Sequence, residues 1–177
     1  VTETMITSGE NIPLNPDDDD EVYYNRTTRK SNTQGMRDFH NKYVKNFLIT
    51  KISKKGGMLI DYAVGMGGDF PKWISAKLSF VFGMDISKDN IENRVNGACA
   101  RYLTYKKSYK AMPNALFVQG DSSKNIKNGD ALYNDKAIQT TNAVFGEGSK
   151  DKDKLGLGVY NQYGKAKNGF NIGSCQF

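Results

Sequence analysis

The sequence predicts an α/β fold built on a parallel sheet. Short apolar segments alternate with segments of helical periodicity, as in chains whose strands are joined by crossover helices. The first apolar segment, 58–64, runs into a glycine-rich loop, and the second, 80–85, ends on an aspartate twenty residues after Gly65. In a Rossmann-like sheet these two features lie at the carboxyl ends of neighbouring strands, where a nucleoside-containing ligand binds.

The length and composition indicate one globular domain. A chain of 177 residues can bury a sizeable core, and 38% of its residues are hydrophobic. No apolar run approaches the roughly 20 residues that a membrane span requires, so we expect no membrane partner. Cys99 and Cys175 are too few for a disulfide framework or a zinc site, which favours a reducing, cytoplasmic compartment.

The charge is unevenly distributed along the chain. Residues 1–22 contain seven acids and no Lys or Arg, so the remainder carries 13 more basic than acidic residues, against a net charge of +6 for the whole chain. Such an excess favours a polyanionic partner such as RNA, although a merely soluble basic surface is the alternative. Residues 1–30 resemble an acidic linker. The aspartates at 17–20 are more typical of a solvated tail than of a metal site, and we predict no bound metal.

The body of the domain, 31–177, begins with a predicted helix over 32–50. Met36, Phe39, Tyr43 and Phe47 recur at spacings of three and four, which predicts an apolar face. The side chains of Asn41 and Lys45, four residues apart, are expected to project together from another side of this helix.

The elements after the glycine loop follow the same alternation. A helix begins at 69 or 70, with Pro71 in its first turn, where a missing N–H costs nothing. After strand 80–85, Ser87 caps a long helix whose apolar positions keep a 3.6-residue period: Ile91, Val95, Ala98, Cys99, Tyr102 and Leu103.

The second half of the domain is less regular. Residues 115–118 form a third predicted strand, which delivers Asp121 and Ser122 to the same edge as the glycine loop. Residues 124–168 form a polar insertion at the surface, with some helix around 131–145. The final apolar run, 169–177, predicts a fourth strand.

These strand ends define a candidate ligand site. Asp85 is suited to accept hydrogen bonds from a ribose diol, and Asp121 with the Ser122 N–H is suited to the edge of an adenine. Each feature alone is more often a turn or a cap, but together they favour a nucleoside-containing cofactor. The third glycine of a dinucleotide fingerprint is absent, and Asp69 would repel a pyrophosphate. The same carboxylate attracts the amino group or sulfonium of S-adenosylmethionine, which is therefore the preferred cofactor.

The glycine loop reads Ala63-Val-Gly-Met-Gly-Gly-Asp-Phe-Pro-Lys-Trp73, and further motifs lie at 83–87, 121–124 and 174–177. These motifs resemble those of the messenger-RNA cap (guanine-N7) methyltransferases, particularly those of large-DNA-virus capping enzymes. The family's glycine loop is G-C-G-K-G-G-D-L-x-K-W. Its G-x-D-I-S, D-S-S-K and S-C-Q-F elements are matched at 83–87, 121–124 and 174–177. The helix R-x-F-H/N-N-x-x-(x)-K-x-x-L-I is matched at 37–49, so the resemblance covers about residues 36–177.

The resemblance implies a class I S-adenosylmethionine-dependent methyltransferase with about four of seven strands, acting on N7 of the cap guanine. It implies a cofactor pocket formed by residues from five parts of the chain: Lys45, Ala63, Gly65, Asp69, Asp85, Ile86, Asp121, Ser122 and Gln176. Asn41 and Lys72 would lie on the side of the cap and its phosphates. The implied partner is capped RNA, the implied setting the host cytoplasm or a virion, and no residue is assigned as a chemical catalyst.

The sequence departs from the family pattern at three places. Ala63 replaces the first loop glycine, and Met66 replaces a loop lysine near the cap phosphates, which removes a cation. The family also continues beyond S-C-Q-F, so we expect further strands from the same polypeptide or from other domains or subunits of a capping enzyme. Two alternatives stay open: an incomplete methyltransferase fold that serves as a scaffold or stimulatory subunit, and a methyltransferase for another RNA or for protein.

Overall fold

The computed structural model describes residues 32–176, so the predicted acidic linker and the aspartates at 17–20 lie outside the described residues. The strands are β1 (Met58–Asp61), β2 (Phe80–Asp85), β3 (Asn114–Gln119) and β4 (Ile172–Ser174). The helices are α1 (Gln34–Phe39), α2 (Lys45–Ile52), α3 (Phe70–Ser75), α4 (Lys88–Glu92), α5 (Ala98–Ser108), α6 (Asp135–Phe145) and α7 (Lys152–Tyr160), with a π-helical turn (His40–Val44) joining α1 to α2. No helix in this range combines the length and apolarity needed to cross a bilayer.

The four strands form one parallel sheet in the order β3-β2-β1-β4. This confirms the predicted α/β class and all four strands, although β1 ends at Asp61 rather than at 64. Every residue of β2 is buried, as expected of a parallel strand covered on both faces. The direction of strand progression reverses between β1 and β4, and ligands of open α/β sheets bind at such a switch point, beyond the carboxyl ends of the strands.

One face of the sheet is covered by helices α2 to α5. Phe70 and Trp73 of α3 are fully buried there, with ring centroids 4.9 Å apart. Leu59 and Val81 face these rings from the sheet side of the same core. This packing holds the glycine loop, which connects β1 to α3, against the edge of the sheet.

The other face is covered by α6, which lies within the segment expected to be a surface excursion. The helix around 131–145 was predicted, but its burial was not. Ala137 and Val144 pack with Phe80 and Phe82 of β2 in a second core. The Asn134 side chain caps this helix by accepting the Ala137 N–H at 2.8 Å. The segment is thus polar on its outer surface, while the inner side of α6 forms part of the hydrophobic core.

The predicted apolar face of the first helix is wrong. Met36, Phe39, Tyr43 and Phe47 are 60–68% exposed, whereas Lys45 is buried and Ile49 fully so. The π-helical turn at 40–44 inserts one residue into the helical repeat and so changes which positions face the sheet after it. The turn accounts for the wrong face of α2, whereas α1, which precedes the turn, buries none of its residues.

The long helix predicted after Ser87 is two helices. Ser87 is the cap, as expected, and its Oγ accepts the Asn90 N–H. The helix then ends because the Asn93 side chain accepts the N–H groups of Val95 and Asn96, each at 3.0 Å, in a local turn. The interruption leaves Val95 77% exposed, and Leu103 on α5 is also exposed rather than in the core.

Candidate active site

The glycine loop between β1 and α3 is positioned by one buried carboxylate. The Gly65 N–H donates to Asp85 Oδ2 at 2.8 Å, and Gly65 adopts a positive φ of 53°. Gly67, at φ 76°, lies so close to the Phe70 ring that a side chain would overlap it. Glycine is needed at both positions because other residues seldom adopt this backbone conformation.

Asp85 is the centre of the hydrogen bonds at this edge. Its Oδ1 accepts the Ser87 N–H and the Asn90 side-chain amide, both at 3.0 Å, while among residues 32–176 its Oδ2 accepts only from Gly65. A carboxylate offers about four acceptor positions, so Asp85 retains capacity for a ligand hydroxyl. Next to it, Ile86 is 50% exposed and presents an apolar surface at the same strand end.

Asp69 and Lys72, predicted to contact different ligands, contact each other. Lys72 Nζ lies 2.5 Å from Asp69 Oδ1, and the two side chains are only 10% and 14% exposed. Each charge is thus neutralised by the other in the described structure. The pair lies at the start of α3, directly after the glycines, where sequence reasoning had placed both residues.

Lys45 and Gln176 meet at this edge, although 131 residues separate them. Lys45 Nζ donates to the Gln176 carbonyl oxygen at 3.0 Å. The Gln176 side-chain oxygen and the Ser174 hydroxyl are buried with no hydrogen-bond partner among the described residues. Unpaired buried polar atoms are costly in a protein, so a ligand that supplied hydrogen-bond partners to these two oxygens would stabilise this edge.

The other assigned residues surround this centre less closely. Asp121 accepts hydrogen bonds from the Ser123 backbone and hydroxyl, which hold the pKa of its carboxyl below the usual range. Ser122 is exposed and lines a cavity of about 500 Å3 rather than contacting the glycine loop.

Asn41 is exposed on the π-helical turn, and so does not share the buried environment of Lys45. Ala63 donates its N–H to Asp61 Oδ1 at 3.2 Å.

Sequence reasoning missed two residues of this site. Arg101 of α5 donates through Nη1 to the Met66 carbonyl oxygen at 2.6 Å, so a guanidinium lies where the loop itself lacks its lysine. Asp61, the last residue of β1, is only 2% exposed. Asp61 could have been found from the sequence, because a carboxylate directly after an apolar strand is a local signal for a site residue. Arg101 has no such local signal, because its role depends on a contact with a residue 35 positions away along the chain.

Burial raises the pKa of Asp61 to about 7, with Asp69 and Asp85 raising it further and the Ala63 N–H and Lys45 opposing the shift. Because the pKa is raised on folding, the protonated form stabilises the folded state. This contribution is complete below the unfolded value of 3.8 and is lost as the pH rises through about 7.

We therefore expect Asp61→Asn, which is neutral at every pH, to lose less stability than the wild type between about pH 4 and 7. Melting temperatures of both proteins across this range, taken without ligand, give a difference curve in which the other carboxylates cancel. A difference that does not change with pH would contradict the raised pKa.

Comparison with known proteins identifies the family. The profile of the mRNA (guanine-N(7))-methyltransferase domain matches residues 18–146. A probable mRNA-capping enzyme of Acanthamoeba polyphaga mimivirus is 34% identical over 101 residues, which are 57% of this chain and 8% of that protein. The mRNA cap guanine-N(7) methyltransferase 1 of Oryza sativa subsp. japonica is 34% identical over 74 residues, 40% of this chain and 20% of that protein. The protein of the same name in Arabidopsis thaliana is 33% identical over 70 residues, which are 38% of this chain and 19% of that protein.

The chain thus spans about a fifth or less of the length of the relatives it matches. The domain profile, by contrast, covers well over half of the chain. It includes the glycine loop, Asp85 and Asp121, which the fold brings to one edge of the sheet. The chain belongs to the mRNA (guanine-N(7))-methyltransferase domain family.

Proposed function

We propose that this domain transfers a methyl group from S-adenosylmethionine to N7 of the guanine of an RNA cap. The observation that carries the proposal is the buried Asp85 carboxylate, which holds the Gly65 N–H and keeps an acceptor position open at the carboxyl ends of β1 and β2. Family membership supplies the reaction class, and this geometry supplies a place for the nucleoside.

The residues at this edge fit S-adenosylmethionine. Burial, and after it the nearby Asp69 and Asp85, raise the pKa of Asp61, so this edge would favour a ligand that carries positive charge. The unpaired side-chain oxygens of Gln176 and Ser174 offer further polar contacts. When bound, this cofactor supplies an electrophilic methyl group on a sulfonium.

The chain's own contribution is to bind and orient. Guanine N7 has an exposed lone pair and no proton to lose, so no general base is required. Holding the two reactants in line accounts for the acceleration, as in other reactions catalysed by proximity. His40, the only histidine of the chain, is exposed on the π-helical turn, and we assign it no role in proton transfer.

On the substrate side we propose that Asn41, Lys72 and Arg101 face the cap and its phosphates. Arg101 restores a cation beside Met66, which weakens the argument that this domain is only a scaffold.

The relatives named as capping enzyme and cap methyltransferase are far longer than the matched region. We propose that the domain works within a larger capping enzyme, in the host cytoplasm or a virion.

Methyl transfer to capped RNA tests the proposal. The full-length protein is incubated with methyl-labelled S-adenosylmethionine and RNA carrying a GpppA cap, and the digested product is compared with an m7GpppA standard. We expect label in m7GpppA, and none when the RNA is already N7-methylated or lacks a cap. Equal labelling of uncapped RNA would indicate another RNA methyltransferase. Cofactor binding without transfer would indicate the scaffold.

A further inference from the structure

Helix α5 and its flanking loops form a basic segment without acids. Between Glu92 and Asp121 the chain contains no Asp or Glu. The same stretch contains five basic residues, which are Arg94, Arg101, Lys106, Lys107 and Lys110. A segment of one sign, whose Arg101 contacts the glycine loop, attracts an extended polyanion.

Aromatic rings lie in a row that leads from α3 onto the same helix. The Phe70 ring, next to the glycine loop, meets the Tyr105 ring edge-on at 5.4 Å. The Tyr105 ring in turn lies 5.5 Å from that of Tyr109, with 30° between their planes. Phe70 is fully buried and Tyr109 is 51% exposed, so the row leads from the core beneath the loop to an open ring.

The lysines beside this row differ in their availability. Lys106 Nζ is bound to the Met112 carbonyl oxygen at 2.7 Å and to Asn114 Oδ1 at 3.1 Å. Lys107 and Lys110 are exposed and make no ion pair within residues 32–176. Two free ammonium groups thus flank the exposed Tyr109 ring in sequence, while Lys106 is committed to the fold.

We propose that the RNA strand attached to the cap runs along α5, with a base stacked on Tyr109 and phosphates near Lys107 and Lys110. Single-stranded RNA is bound in this way elsewhere, by exposed aromatic rings within a positive groove. The row starts at Phe70. The Arg101 guanidinium carbon lies 5.9 Å from the centre of that ring, and Arg101 Nη1 donates to the Met66 carbonyl oxygen at the tip of the glycine loop. Tyr109 lies about 12 Å along the helix from Arg101. The direction of the RNA strand, from the cap toward Tyr109, rests on the proposed function.

Removing the Tyr109 ring tests the base contact. In the full-length protein, Tyr109→Ala should weaken binding of a short capped RNA about 5- to 150-fold, the range for the loss of one stacked base. Tyr109→Phe keeps the ring and should bind as the wild type does. Affinity for the free cap dinucleotide should be the same for all three proteins, because the proposal places the Tyr109 contact on the RNA strand beyond the cap. An equal loss for both ligands, or none for either, would overturn the proposal.

Removing the two lysines tests the phosphate contacts. The double variant Lys107→Ala/Lys110→Ala should reduce the slope of log Kd against log salt concentration by about 1.4, or about 0.7 for each phosphate. Lys165→Ala/Lys167→Ala is the matched control, because it removes two exposed lysines from the segment between α7 and β4. A similar change in the control would show that only net charge matters, and the proposal would be wrong.

Uncapped RNA separates this proposal from the proposed function. If the wild type methylates the cap but none of the α5 variants changes RNA affinity, the proposed RNA contact along α5 is wrong and the proposed activity stands. If uncapped RNA binds in a way that depends on Tyr109 while no cap is methylated, the RNA contact along α5 stands and the proposed activity is wrong. Unchanged RNA binding in every variant would leave this surface to a protein partner.

Discussion

Asp85→Ala should reduce the affinity for S-adenosylmethionine by about one to two orders of magnitude, because a charged acceptor is lost from a buried site. The same substitution leaves three donors without their acceptor, namely the N–H groups of Gly65 and Ser87 and the Asn90 amide. The free energy of unfolding should therefore fall by about 1–3 kcal/mol, which is the cost of leaving buried donors unpaired. Calorimetric titration and thermal melting measure the two effects separately.

Asp89→Ala is the matched control for this substitution. Asp89 lies four residues further along, on the exposed side of α4. Within the described part of the chain, its carboxylate accepts only the exposed Asn93 amide. Its loss should change neither cofactor affinity nor stability by more than a few tenths of a kcal/mol. If Asp85→Ala bound the cofactor as tightly as the wild type, the assignment of Asp85 to the ligand would fail.

Gly67→Ala should destabilise the folded protein by about 2–4 kcal/mol, from overpacking and from backbone strain. An added Cβ would overlap the ring of the fully buried Phe70, which packs between Trp73 and Tyr105. Position 67 also has a φ of 76°, which disfavours any residue with a side chain. Chemical denaturation gives the free energy of unfolding directly.

Two neighbouring glycines separate the causes of this effect. Gly65 has a φ of 53° but no atom within 4 Å of an added Cβ, so Gly65→Ala tests strain alone and should cost about 1 kcal/mol. Gly68 has neither feature, and Gly68→Ala should be within about 0.5 kcal/mol of the wild type. Equal effects at all three positions would show that the Phe70 contact is unimportant.

The features that could be predicted from the sequence are those with a short-range signal. Strand β2, the glycine loop and Asp85 are encoded within about thirty consecutive residues, as an apolar run, small residues and a carboxylate at fixed spacing. Ser87 is a cap with a local mechanism. These elements and the parallel sheet were predicted correctly because nothing distant competes with the local preference.

The errors arise where a distant contact or a local side chain overrides periodicity. Helix α2 turns Lys45 rather than Phe47 toward the sheet, since a π-helical turn precedes it. Asn93 interrupts the next long helix through its own side chain. The burial of α6 and the contact of Arg101 with the glycine loop depend on tertiary packing, for which a polar sequence offers no pattern.

The pairing of β4 with β1 has a consequence for synthesis on the ribosome. β4 lies more than a hundred residues after β1 in the chain, yet it is β1's direct neighbour in the sheet. At about 5–20 residues per second, several seconds pass between translation of the glycine loop and that of Gln176. During that interval one edge of β1 waits exposed, so a nascent chain has most of its core before it has a complete ligand site. Such late closure of a long-range contact slows folding and offers a chaperone or the cofactor a defined step at which to act.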